Sequence, residues 1–148
     1  MSTRGTILDT LATQLETILI ANGFVTNVQD VLRSSEHTEE HSSDDPYLTI
    51  EDNGPDVVQQ HGASNMVRSL MPISVRAQVR GATNDAPPTD EIDNVIDDIR
   101  LLIHAPVNLG ASVCYTELVG IPSIVTAKRS ALIDFDLNIC YAYDKANP

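Results

Sequence analysis

Residues 131–144 read ALIDFDLNICYAYD. Ile133, Phe135, Leu137, Ile139, Tyr141 and Tyr143 alternate with Asp134, Asp136, Asn138, Cys140 and Ala142. A period of two sends successive side chains to opposite sides of a pleated strand, so this run has one apolar face that something else must cover. Two further stretches repeat the pattern. LMPISVRAQVRG, residues 70–81, sets Ile73, Val75, Ala77 and Val79 against Ser74, Arg76, Gln78 and Arg80, and YLTIED, residues 47–52, sets Leu48 and Ile50 against Tyr47, Thr49 and Glu51. FVTNVQDVLR, residues 24–33, and SVCYTELVG, residues 112–120, are rich enough in β-branched residues to read as strands, and IPS at 121–123 separates the latter from the closing run.

The cover is legible as well. TDEIDNVIDDIRLLIH, residues 89–104, brings Ile92, Val95, Ile96, Ile99, Leu102 and Ile103 onto one side of a helix. At roughly 1.5–3 kcal/mol for each fully buried aliphatic side chain, that stripe contributes about 10 kcal/mol or more before entropy is counted. TILDTLATQLETILIAN, residues 6–22, does the same with Ile7, Leu8, Leu11, Leu15, Ile18 and Leu19, with Thr6 as N-cap and Gly23 as stop. The order α-β-β-β-α-β-β predicts an α+β fold, an antiparallel or mixed sheet with two amphipathic helices packed on one face. At 148 residues, with 42% hydrophobic residues, 4% aromatic residues and no Trp, the chain predicts one domain over 1–148 whose core is Ile, Leu and Val. Exposed loops are expected at 34–46 and at 53–68. The second begins with the turn Asn53-Gly54-Pro55 and reads as a long loop or as the arm of an extended hairpin.

Nine basic against 21 acidic residues give a formal charge of −12. That balance repels nucleic acid and anionic membrane surfaces. The N-terminal MSTRGTILDTL breaks its apolar residues with charge, and no run approaches the roughly 20 apolar residues of a membrane span, so a soluble, intracellular protein is expected. Cys114 and Cys140 form no CxxC motif and sit in strand-like runs, which predicts buried free thiols, with a single disulfide between those strands as the alternative.

One short motif invites a catalytic reading. HTEEH, residues 37–41, has the His-x-x-Glu-His spacing with which inverted zinc metalloproteases bind metal through two imidazoles and activate water through the glutamate. That chemistry needs His37 and His41 on one side of a packed helix. Ser34, Ser35, Ser42, Ser43, Asp44, Asp45 and Pro46 surround the motif and supply no apolar stripe, so it reads as a solvated acidic loop. No P-loop, GxGxxG, serine elbow or zinc-finger spacing occurs. His61 and His104 are isolated, and His104 suits the C-terminal end of a helix dipole. Asp90, Glu91 and Asp93 suit a helix N-terminus, Asp97 and Asp98 are expected on the solvent side, and Asp134 with Asp136 on a polar strand face. No catalytic, cofactor or metal site is expected.

The N-terminal helix ending in ANGF, the strands around YLTIEDNG, the alternating PISVRAQVRG, the helix TDEIDNVIDDIRLLIH and the closing IDFDLNICYAYD together resemble the tail terminator proteins of long-tailed bacteriophages and related head-to-tail joining proteins. The resemblance spans nearly the whole chain and is one of pattern and size. It implies a structural virion protein, assembled in the host cytoplasm into a hexameric ring. Such a ring caps the tail tube, ends its polymerisation and meets the head connector, without catalytic residues. Arg68, Arg76, Arg80, Gln59, Gln60 and His61 are then candidate intersubunit or tube contacts. Arg76 and Arg80 have a second reading, pairing across the sheet with Asp134 and Asp136. Two other classes stay open: a small α+β module that binds a ligand or partner, and a metal-dependent enzyme built on HTEEH or on the paired aspartates.

Overall fold

The structure, a computed structural model, describes residues 2–33, 46–61, 65–81, 88–104 and 109–146. HTEEH and the expected loop 34–46 lie outside these residues apart from Pro46, which is buried.

The fold is α+β, with two helices and a mixed six-stranded sheet. Helix α1 spans Thr3–Leu15 and α2 spans Thr89–His104; the strands are β1 Asp30–Leu32, β2 Tyr47–Asp52, β3 Val57–His61, β4 Met66–Arg80, β5 Val113–Ala127 and β6 Ser130–Asp144. Four strands precede α2, where the sequence pattern predicts three. The sheet order is β1-β2-β4-β6-β5, and β3 pairs with β4 beyond the end of β2. All pairings are antiparallel except β1 with β2.

The centre of the sheet is the β4–β6 pair, in continuous register from Met66↔Asp144 to Arg80↔Ser130. Its alternation is the one read from the sequence. Ile73, Val75, Ala77, Val79, Ile133, Phe135, Leu137 and Ile139 are buried, and they join the α1 residues Ile7, Leu8, Leu11 and Leu15 and the whole α2 stripe in one core. Helix α2 has the predicted bounds.

Helix α1 does not. Its N-cap is Ser2, whose Oγ accepts from Gly5 N at 3.1 Å, while Thr6 lies inside the helix and donates its hydroxyl to Ser2 O. The helix ends at Leu15, short of the expected Asn22, because polar side chains capture the backbone beyond it. Thr17 Oγ1 donates to Gln14 O, Asn22 Nδ2 donates to Thr17 O, and Asn27 Oδ1 accepts from Ile20 N. A 3-10 turn, Ile20–Asn22, follows and stops at Gly23, whose φ of +92° suits glycine.

The strand expected over 24–33 shrinks to Asp30–Leu32. The backbone N–H groups of Val25 and Thr26 donate instead to the Asp98 carboxylate on α2. The segment 53–68 is not a free loop: β3 and the start of β4 form a hairpin within the sheet, with Gln59 as the extra residue of a bulge between Val58 and Gln60. Nor does IPS end a strand. Gly120, Ile121 and Pro122 stand opposite Phe135 alone, since Val119 pairs with Asp136 and Ser123 with Asp134, so β5 passes through a bulge and continues to Ala127. Glycine at φ +69° and a proline whose missing N–H the ladder does not need both suit that position.

Candidate functional site

The polar face of the central strands carries one connected network. Arg76 Nε donates to Asp134 Oδ1 at 2.8 Å, and its guanidinium approaches Glu51 at 3.8 Å, so three adjacent strands share one cation. Beside it Ser74 Oγ donates to Asp136 Oδ1 at 3.0 Å, and Asn53 Nδ2 donates to both Ser74 and Asp136. The Asp134 hydrogen bond chiefly holds the Arg76 guanidinium more basic than usual. The geometry is thus that of the cross-sheet pairing for Arg76, and Asp136 is occupied by Ser74 and Asn53.

The other candidate contacts fall at the two ends of β4. Arg80 ends the β4–β6 ladder opposite Ser130, while Arg68, exposed, stands between Gln60 and Ala142. Gln59 is exposed, and its Oε1 accepts from Cys140 Sγ at 3.6 Å. Gln60 and His61 belong to β3, and their side chains lie outside the described residues. The register brings Gln59, Gln60, His61 and Arg68 together on the β3–β4 pair, with Arg76 and Arg80 further along β4.

Two acidic residues have structural work that the periodicity missed or only half-revealed. Asp98 is 2% exposed, not on the solvent side, and accepts from Val25 N, Thr26 N and Thr26 Oγ1, the last two at 2.7 and 2.5 Å. Asp56 accepts from the buried Tyr141 hydroxyl and from Arg4 Nε at 3.2 Å, while Arg4 also reaches Asp52 at 2.6 Å. Burial first, then the hydrogen bond to Asp56, pushes the Tyr141 hydroxyl well above its ordinary value of 10. These contacts join helix α1, the β2–β3 turn and β6; they assemble no reactive group.

Among the described residues no cluster of three or more His, Cys, Asp and Glu side chains is placed to hold a metal ion. Among the described residues, one depression of about 130 Å³ lies between Arg100, His104, Phe135 and the β5 bulge, and another of about 190 Å³ lies by Val25, Asn94 and Val95. Both fall below the roughly 300 Å³ at which small-molecule pockets begin. Among the described residues no helix is long and apolar enough to cross a membrane.

What distinguishes the surface is β5. It is an edge strand of 15 residues, and none of its residues is fully buried. Its own hydrogen-bonding edge faces no other strand among the described residues. Tyr115, Val119, Ile121, Ile124 and Val125 are exposed along it, with Leu132 beside Val125 on β6; Ile121, at the tip of the bulge, is 89% exposed. Long apolar edges of this kind are normally blunted by charge, twist or cover, because unpaired N–H and C=O groups recruit another strand. Here Glu117 is the one acidic residue of the strand, and the turn that follows adds Lys128 and Arg129. The turn is pinned to the end of β4: Arg129 Nε donates to Gly81 O at 3.0 Å and Gly81 N donates to Arg129 O at 2.8 Å.

No family model matches the chain, and a search of curated proteins returns no match.

Proposed function

We propose that this chain is a structural subunit that assembles with copies of itself through β5, and that the assembly is a ring capping the tail tube of a long-tailed bacteriophage beneath the head connector. The observation that carries the reading is the β5 edge, uncovered among the described residues, long, apolar and nearly free of acidic charge in a chain of −12. Residues 113–129 hold one acid and two bases, so the remainder of each copy is more acidic than the whole. A neighbouring copy, acidic as a whole, therefore repels this segment less than it repels the acidic rest of the chain. Ring closure needs two unlike surfaces on one subunit. The opposite margin of the sheet supplies a second one at β3, where Val57 and Val58 are exposed. Both helices are taken to cover the same face of the sheet, which leaves the margins open for neighbours; the single core shared by α1, α2 and the sheet supports this.

The pattern shared with tail terminator proteins supplies the rest: a ring on the tube, with no reaction to catalyse. The test is imaging of the chain alone and mixed with purified tail tubes of the virus that encodes it. Rings of uniform size at tube ends, lost in Ile121→Glu and Val125→Glu variants that unfold at the wild-type midpoint, are expected. Tubes that remain bare at every subunit concentration sink the tail assignment. Self-association unchanged by both substitutions sinks β5 as the contact.

A further inference from the structure

Near its start β5 carries a second irregularity. Val113 pairs with Tyr141 and Tyr115 with Cys140, so Cys114 is an extra residue, and it shares with Tyr115 the position opposite Cys140. The two thiols of the chain therefore lie side by side on adjacent strands. Their settings are unlike: Cys114 is exposed, against the expectation of a buried thiol, because a bulge on an edge strand turns it outward, and Cys140 is fully buried. Gln59 Oε1 accepts from the Cys140 thiol at 3.6 Å.

We propose that Cys114 and Cys140 form a thiol-disulfide exchange site, in which Cys114 reacts first with a small disulfide and Cys140 resolves the adduct into an intrachain disulfide. The exposed Cys114 thiolate attacks one sulfur of the reagent and releases the first thiolate, leaving a mixed disulfide on the strand. Cys140 then loses its proton and attacks Cys114 Sγ, and the second thiolate leaves. Two protein thiols are oxidised by two electrons, and the reagent is reduced to two thiols. Directly opposed residues of an antiparallel pair have Cβ atoms roughly 4.5–5.5 Å apart, slightly beyond the roughly 3.5–4.5 Å of a disulfide. A bulge residue is not held by the ladder, and its freedom closes that difference. Burial, then the neighbouring Cys114 thiol, raises the Cys140 pKa, which keeps Cys140 protonated until the adduct sits beside it and gives the reaction its order.

The site rests on the β5–β6 register alone and stands whether or not β5 joins copies together. The experiment treats the dilute full-length chain with one equivalent of dithiobis(nitrobenzoate). Wild type is expected to release two equivalents of thionitrobenzoate per chain and to end two hydrogens lighter, as a monomer. Cys140→Ser and Cys140→Ala, each checked for a wild-type unfolding midpoint, are expected to release one equivalent and to keep the aryl adduct. Cys114→Ser, altered at an exposed position, is expected to be inert until unfolded. A stable mixed disulfide in wild type, a disulfide between two chains, or a folded Cys114→Ser chain that reacts at the wild-type rate overturns the proposal.

Discussion

Asp98 shows how one side chain decides the path of a whole segment. Its carboxylate replaces the partners that a strand would have given Val25 and Thr26, and each of those N–H groups is left without an acceptor when the carboxylate is removed. Asp98→Ala is expected to destabilise the protein by roughly 2–4 kcal/mol, since removing this buried acceptor leaves three donors, Val25 N, Thr26 N and Thr26 Oγ1, without their bonds together. The exposed neighbour serves as control: Asp97→Ala is expected to stay within about 0.5 kcal/mol, both read from denaturant midpoints. The helical period does reveal Asp98 once its neighbours are considered, because residues 95, 98 and 102 share one side of α2. What it cannot reveal is the acceptor's customer, a turn more than 70 positions earlier in the chain. Tyr141 is a second case. Its hydroxyl ionises above the ordinary value of 10 in the folded chain, so the unfolded state gives up this proton first as pH rises. The contribution to stability is complete below about pH 10 and is lost as pH climbs from there toward the folded value. Wild type is expected to lose stability more steeply above pH 10 than Tyr141→Phe, followed by unfolding midpoints across that range.

At the scale of elements, the clearest constraint is where β4 ends. A Cβ on Gly81 would stand 2.8 Å from Pro88 Cβ, just before α2, so the strand and the helix approach as closely as backbone permits. Gly81→Ala is expected to cost roughly 1–3 kcal/mol through overpacking, seen as a lower thermal midpoint with an unchanged circular dichroism spectrum below the transition. Elements with one strong period were legible in the sequence: α2 and β2 have the expected bounds, and the apolar faces of β4 and β6 are the ones read. Elements whose limits depend on side-chain to backbone competition were not, which is why α1 stops at Leu15 and β1 keeps three residues. For β5 the failure was different. Pro122 signals a break in a strand, but on an edge, inside a bulge, it has no ladder bond to lose. The run IVTA that follows, with KR before the next strand, carried the signal of a hairpin. Of the candidate contacts, Arg68, Gln59, Gln60 and His61 lie on the β3–β4 pair and Arg76 and Arg80 further along β4, and the exposed apolar residues past Pro122, which form the assembly surface proposed above, were hidden by the same misplaced break.

For the molecule as a whole, assembly sets apolar burial on β5 against the repulsion of copies that each carry −12. Salt shortens the reach of that repulsion, from roughly 10 Å at 0.1 M to roughly 3 Å at 1 M, and leaves apolar burial in place. An ion pair of Lys128 with a neighbouring copy would weaken at the same time, but exposed pairs are worth only about 0–1 kcal/mol each. Sedimentation is therefore expected to show larger species as sodium chloride is raised. Dissociation under high salt would instead place ion pairs, not β5, at the centre of the contact.

The central β4–β6 ladder also has a mechanical meaning. Fifteen consecutive residue pairs without a slip make a ribbon about 50 Å long in which Met66 and Ser130 lie at opposite ends. Tension applied between those two residues loads every rung in parallel, as shear, whereas tension between Arg80 and Ser130 opens the rungs one after another. Anchors at 66 and 130 are expected to give a rupture force several-fold above anchors at 80 and 130 in a single-molecule pulling experiment, so the subunit should be stiffest along its strands and weakest when peeled from the β5–β6 turn.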